Sequence, residues 1–237
     1  MLKRPRTRKG QIVYRVNDSA FPDGEWGSED FVITAHADGT RVLRAHCQLW
    51  DGDGLIRDVV KCVDADYHPR DVYVRLTSND TFQGLAAYHF TDEQAEMHAR
   101  FGGDIVHDKR PYNRSMRSFG THALTSDAWM AARFDRSAGP RRHVFENNLM
   151  TSTDHRGATG PEFTATTRSE WEFFGEEHVS VAAGDFDCYH FAILANNTDH
   201  PPYHFWMTAD GDFLFVRGTV AAPYEWEFEL LRLEDSA

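Results

Sequence analysis

Residues 184–233, GDFDCYHFAILANNTDHPPYHFWMTADGDFLFVRGTVAAPYEWEFELLRL, decide the fold. Aromatic and β-branched residues alternate with polar ones between Gly, Pro and Asp breaks. The stretch therefore reads as four successive antiparallel strands at 185–194, 203–208, 212–220 and 224–233. Ala209-Asp210-Gly211 is a tight turn between the second and third. A meander this long must pack on a second sheet or curl into a barrel, and a curled sheet tends to enclose a pocket.

The rest of the chain follows the same rule. A short strand is predicted over Gln11–Val16, then a loop with Pro22, Gly24 and Gly27, then strands over 29–36, 41–50 and 55–64. The last three are separated by Asp38-Gly39 and by Asp51-Gly52-Asp53-Gly54, residues that tolerate positive φ. Strands over 71–77 and 82–90 come next. Residues 91–101, TDEQAEMHARF, carry both a capping box and a period of two; the period is clean, and Gly102-Gly103 offers a hairpin return into 104–107, so a strand is predicted. The clearest helix is Ser126–Phe134, capped by Thr125 or Ser126, with Asp127 in its first turn. Strands over 142–151, 164–174 and 177–182 lead into the final meander. The expected fold is all-β: one antiparallel β-barrel or half-barrel spanning 11–237, with a short helix covering an opening.

Bulk composition bounds the partners. A formal net charge of −12 repels phosphate backbones and anionic bilayers, so nucleic acid is not an expected partner. The first ten residues, MLKRPRTRKG, are the basic exception and read as a flexible solvated arm. They lack the apolar core of a secretory signal, and no run of about 18 apolar residues exists for a membrane span, so a cytoplasmic location is expected. Cys47, Cys62 and Cys188 lack metal or disulfide spacing and read as buried thiols, although His190 shares a strand face with Cys188.

The pattern of Tyr14, Val16, Gly24, Trp26, Tyr67, Pro69, Gly184, Phe186, Trp206, Asp210 and Gly211 resembles the bacterial β-sheet proteins grouped as DUF3108, which in turn resemble the LolA and LolB half-open barrels. That resemblance implies a curved sheet wrapped partly around a helix, with a cavity for hydrophobic molecules.

Several polar side chains stand among aromatic strand residues. His190 and His204 lie in the final meander, and His122 precedes the helix with Asp127 near enough in sequence to orient it. These four are the candidate catalytic residues, supplying general acid and base groups near neutral pH. Tyr73, Arg75, Tyr189, Trp206 and Arg217 are candidate substrate-binding residues, with arginine suited to a carboxylate or phenolate. Each histidine taken singly reads first as a satisfied core or surface residue, His122 alone reading equally either way. His200 and His204 lack a positioned third ligand, so no metal is expected. No P-loop, GxSxG elbow or dinucleotide fingerprint occurs, and no cofactor is expected. The functional expectation is a cofactor-independent lyase, isomerase or hydratase acting on a small hydrophobic or aromatic molecule. A non-catalytic carrier for such a molecule is the alternative, and a homodimer is compatible with the aromatic faces.

Overall fold

Alternating burial runs through most of the chain, and Leu55–Val63 is its cleanest case: every second side chain is buried. The computed structural model describes residues 4–52, 54–113, 119–146, 148–166, 168–196 and 201–236. In chain order the strands are β1 (Arg6–Val16), β2 (Glu25–Ala35), β3 (Arg41–Leu49), β4 (Leu55–Val63), β5 (Pro69–Ser78), β6 (Thr81–Phe90), β7 (Gln94–Phe101) and β8 (Asp104–Pro111). Then come β9 (Phe119–Gly120), the helix α1 (Leu124–Ala131), β10 (Arg141–Phe145), β11 (Asn148–Met150) and β12 (Thr164–Thr166). The chain ends in β13 (Ser169–Val181), β14 (Gly184–Asn196), β15 (Tyr203–Thr208), β16 (Phe215–Val220) and β17 (Trp226–Ser236).

Fourteen strands form one antiparallel sheet in the order β10-β13-β14-β15-β16-β17-β1-β2-β3-β4-β5-β6-β7-β8. The C-terminal meander thus joins the N-terminal one through β17 and β1, strands from opposite ends of the chain. The sheet does not close: β8 and β10 are its two edges. Strands β9, β11 and β12 make a small separate sheet.

Helix α1 sits in the curve of the large sheet. Seven of its eight residues are buried, Ala128, Trp129 and Ala131 completely. Trp129 meets the ring of Tyr67 edge-on at 5.7 Å. A short helix buried on nearly every side is a core helix, which the surrounding strands must enclose.

The structure departs from the sequence reading in four places. From Arg6 onward the basic segment is strand, not arm. It pairs with β2 and β17, and its charges meet an acidic cluster: Arg6 bonds Asp212 at 2.7 Å and also Asp235, while Arg8 bonds Asp210 at 3.0 Å. The domain therefore begins before residue 11. The predicted strand over 142–151 splits between two sheets as β10 and β11. The two predicted strands over 164–174 and 177–182 are replaced by a short β12, Thr164–Thr166, and a long β13, Ser169–Val181, which runs through Gly175 with a shift in register. The helix starts two residues before Ser126, and its cap position is Ala123, which offers no side-chain oxygen. The period-two reading of residues 91–101 is correct: they hold β7, hairpinned to β8.

Candidate functional site

Inward-facing positions of β2 and β4 carry charge. Glu29 lies opposite Cys47 and Cys47 opposite Arg57, so a polar row crosses β2, β3 and β4. Lys61 shares the inner face of β4 with Arg57. Glu29 and Lys61 are fully buried and Arg57 nearly so. Charged groups this deep persist only with strong hydrogen bonds.

Each has them. The Glu29 carboxylate accepts from the backbone N–H of Leu124 at 2.6 Å and of Thr125 at 3.1 Å, from the Thr125 hydroxyl, and from Tyr14 Oη at 3.3 Å. A strand carboxylate thereby caps α1, supplying the oxygen that Ala123 lacks and placing negative charge at the positive end of the helix. Lys61 Nζ donates to the Phe119 carbonyl and to Ser126 Oγ, both at 2.9 Å. Arg57 donates to the carbonyls of His122, Arg156 and Gly157 and so ties the sheet to two loops. Gly157 permits that approach: its φ is +66°, and a Cβ there would lie 2.5 Å from Arg57 Nη1 and 2.8 Å from the His122 side chain.

Above this row lies a cavity of about 110 Å³. One water needs roughly 10–15 Å³, so the space suits a small molecule. Leu124, Met130, Met150, Trp171, Ile193, Val220, Trp226 and Phe228 supply apolar walls, and Asp127, His122, His155 and Tyr203 supply polar groups. His155 stacks on Trp226 at 5.5 Å, and burial lowers its pKa, which keeps the imidazole neutral at pH 7. His122 holds a left-handed backbone at φ 59°, and its Nε2 lies 3.1 Å from the Ser152 carbonyl. Non-glycine strain of this kind collects at functional sites.

Asp127, the one partly buried residue of α1, differs from the buried charges below it. Among the described residues none donates a hydrogen bond to its carboxylate. Burial, reinforced by the Glu29 charge, raises its pKa to about 7 against the pull of Lys61 and Arg57. Burial likewise lowers Lys61 to about 7, partly opposed by Asp127. Each charge favours the ionised form of the other, so the protonation states of Asp127 and Lys61 are linked. An Asp raised in the fold is penalised by ionisation, so its cost to stability is absent below the ordinary aspartate pKa of about 3.9 and complete above about 7. Asp127→Asn should therefore gain stability relative to wild type as pH rises from 5 to 8.5, by about 2 kcal/mol. That is less than a dry core would give, because the carboxyl borders the cavity. Paired thermal melts across that range check it, and a difference independent of pH would refute the assignment.

Of the residues predicted from sequence, His122 and Asp127 line the cavity together. The others do not. Val72, Val74 and Leu76 take the inner face of β5, so Tyr73 and Arg75 point outward, and Arg75 lies 4.7 Å from the Phe82 ring. Phe191 and Phe205 fill the inner faces of β14 and β15, which sends His190, His204 and Trp206 to the outside. There His190 contacts Glu177 at 2.8 Å and His204 at 3.0 Å and stacks on Trp206, while Arg217 lies 5.6 Å from the Trp206 ring. Tyr189 faces inward but away from the cavity, under Arg136. Cys188 is buried beside His190, and its thiol pKa is pushed up to about 12, which removes it as a nucleophile. His200 lies outside the described residues. His155, Tyr203, Trp171 and Trp226 escaped the sequence reading.

Fold and cavity together define a barrel-like, half-open antiparallel protein with an internal helix. No protein-family model and no curated protein matches the chain. Among solved structures it is similar to a β-barrel-like protein of the domain of unknown function DUF1849 from Brucella abortus. The TM-score is 0.54 at 9% identity, over 98% of each chain. A DUF1089 family protein from Pseudomonas aeruginosa gives a TM-score of 0.43 at 11% identity, over 91% of each chain. At 9% identity the likeness to the DUF1849 protein extends to the fold alone. Among the described residues no helix is long and apolar enough to cross a membrane.

Proposed function

We propose that this protein binds a small hydrophobic or aromatic molecule in the cavity beside α1 and moves a proton on it through the Asp127 carboxyl group, in a lyase, isomerase or hydratase type of reaction. The observation that carries this reading is the placement of the Asp127 carboxyl: it borders an aromatic cavity and receives no hydrogen bond from a described residue, and burial lifts its pKa to about 7. A general acid or base works best with a pKa near the operating pH. Trp171, Trp226 and Phe228 would hold the apolar part of the guest, and His155 and Tyr203 would orient its polar end.

The carrier alternative is favoured by one observation, the predominance of apolar groups in the cavity wall. One experiment separates the two. Small aromatic and alicyclic ketones, enols and amines are screened by thermal shift, and hits are followed in D2O by NMR for exchange of their activated C–H protons. The proton-transfer reading expects exchange by wild type and a loss of roughly 10²–10⁴-fold in Asp127→Asn. Binding without exchange leaves a carrier. A Val220→Trp variant, which fills the cavity, should bind none of the hits; equal binding by that variant would sink both readings.

A further inference from the structure

The outer face of the β7–β8 hairpin brings three metal-ligating side chains to one point. β7 turns into β8 through Gly102 and Gly103, both at positive φ, and the register sets His98 directly opposite His107. Glu96 precedes His98 by two residues, on the same face, opposite Lys109. Ala95, Met97 and Ala99 take the buried face, so Glu96, His98 and His107 project together toward solvent. The imidazole planes stack at 4.3 Å, 17° from parallel. Both Nε2 atoms aim at the same carboxylate oxygen: Glu96 Oε1 lies 3.0 Å from His98 and 2.6 Å from His107. One ligand atom from each residue lies within 4.8 Å of the others.

Packing does not account for this convergence. The His98 and His107 side chains are 56% and 49% exposed, and an isolated exposed ion pair contributes little. Two imidazoles focused on one oxygen match the donor spacing of a cation. Ligands at about 2.0–2.1 Å around a tetrahedral Zn2+ stand about 3.3 Å apart; the two carboxylate–imidazole spacings here, 3.0 and 2.6 Å, are shorter and widen to that value by side-chain rotation. Lys109 Nζ, 3.6 Å from Glu96 Oε2, engages the second carboxylate oxygen and leaves Oε1 to face the histidines. Such outer contacts orient a ligating carboxylate. The cluster of Asp64, Asp66 and His68 is different in kind: Asp64 Oδ1 already accepts the backbone N–H groups of Asp66 and His68 and shapes a turn.

We propose that Glu96, His98 and His107 form a divalent-metal site, open to solvent at its remaining position, on the outer face of the β7–β8 hairpin. Two imidazoles and one carboxylate select Zn2+, Cu2+ or Ni2+ over Mg2+ and Ca2+. The site belongs to neither wall of the internal cavity and stands or falls independently of the reaction proposed there.

The test uses full-length protein with no affinity tag, titrated with Zn2+ by calorimetry and with Cu2+ by electron paramagnetic resonance. One saturable Zn2+ with micromolar affinity is expected, together with a Cu2+ spectrum split by two nitrogens. His98→Ala and His107→Ala should each weaken Zn2+ at least tenfold, and Glu96→Gln should weaken it several-fold, while Mg2+ should not bind. Because His98 and His107 are exposed and Glu96 is half-buried on the same solvent face, the variants should melt within a few degrees of wild type; His98→Asn and His107→Asn serve if an alanine variant does not fold. The proposal fails if the His98/His107 double variant binds Zn2+ as tightly as wild type, which would place the metal on other histidines, or if wild type shows no saturable stoichiometric binding.

Discussion

Replacing Glu29 with alanine is expected to destabilise the protein by about 3–5 kcal/mol, a drop in Tm of roughly 6–20 °C for a chain of this size. The contributions can be counted from its contacts. Loss of a helix cap costs about 1 kcal/mol. The Thr125 and Tyr14 hydroxyls are then left in a dry core without their acceptor, at about 1–3 kcal/mol each. The side chain's volume goes as well, beneath a helix that is buried on nearly every side. Glu29→Gln keeps the volume and one acceptor oxygen, but its amide group would face an N–H that now donates at 2.6 or 3.1 Å, so about half the loss is expected. Trp129 lies on the capped helix and reports the change by fluorescence. A loss below about 1 kcal/mol in the alanine variant, with unaltered Trp129 emission, would mean that the sheet holds α1 without the Glu29 cap.

The architecture was legible because it depends on period and turn chemistry, and both are local. Asp38-Gly39 and Gly102-Gly103 end their strands where the turn pattern requires, and residues 94–101 obey the period of two over the competing capping box. The candidate site was half legible. His122 and Asp127 flank the helix entry and could be placed by sequence proximity, whereas His190 and His204 could not be assigned a face. In β14 and β15 both faces carry apolar or aromatic residues, because a second small cluster of Val179, Cys188 and Val216, with Trp206 packed against it, covers the outer side. When both faces are apolar, alternation no longer tells inside from outside. The buried charges were legible in principle: Leu55, Arg57, Val59, Lys61 and Val63 share one face, and two cations on the apolar face of a strand signal buried polar contacts. Their partners were not legible. Lys61 bonds residues 58 and 65 positions away, and Arg57 bonds carbonyls 65 to 100 positions away, distances over which no local pattern operates.

Arg57→Met should have the second large effect, and it links stability to the cavity. The guanidinium donates to the carbonyls of His122, Arg156 and Gly157, so a single side chain anchors the two loops that carry His122 and His155 to the wall. Methionine restores the stem but no donor. Three carbonyls lose a charge-assisted partner, each worth about 1.5–3 kcal/mol, less what water regains as the loops loosen, for a net loss of about 3–5 kcal/mol. The His122 backbone, held at positive φ with its carbonyl on Arg57, is then free to relax, and the wall opposite Asp127 loses its shape. Removing a nearby positive charge also raises the Asp127 pKa further. Arg57→Lys retains that charge but presents one point donor instead of a fork, so the pKa should stay closer to wild type while most of the stability is lost. The measurement is a urea melt of both variants beside NMR titration of Asp127. If Arg57→Met melts with wild type, or if both variants shift Asp127 equally, the guanidinium is not the tie between the sheet and the cavity loops.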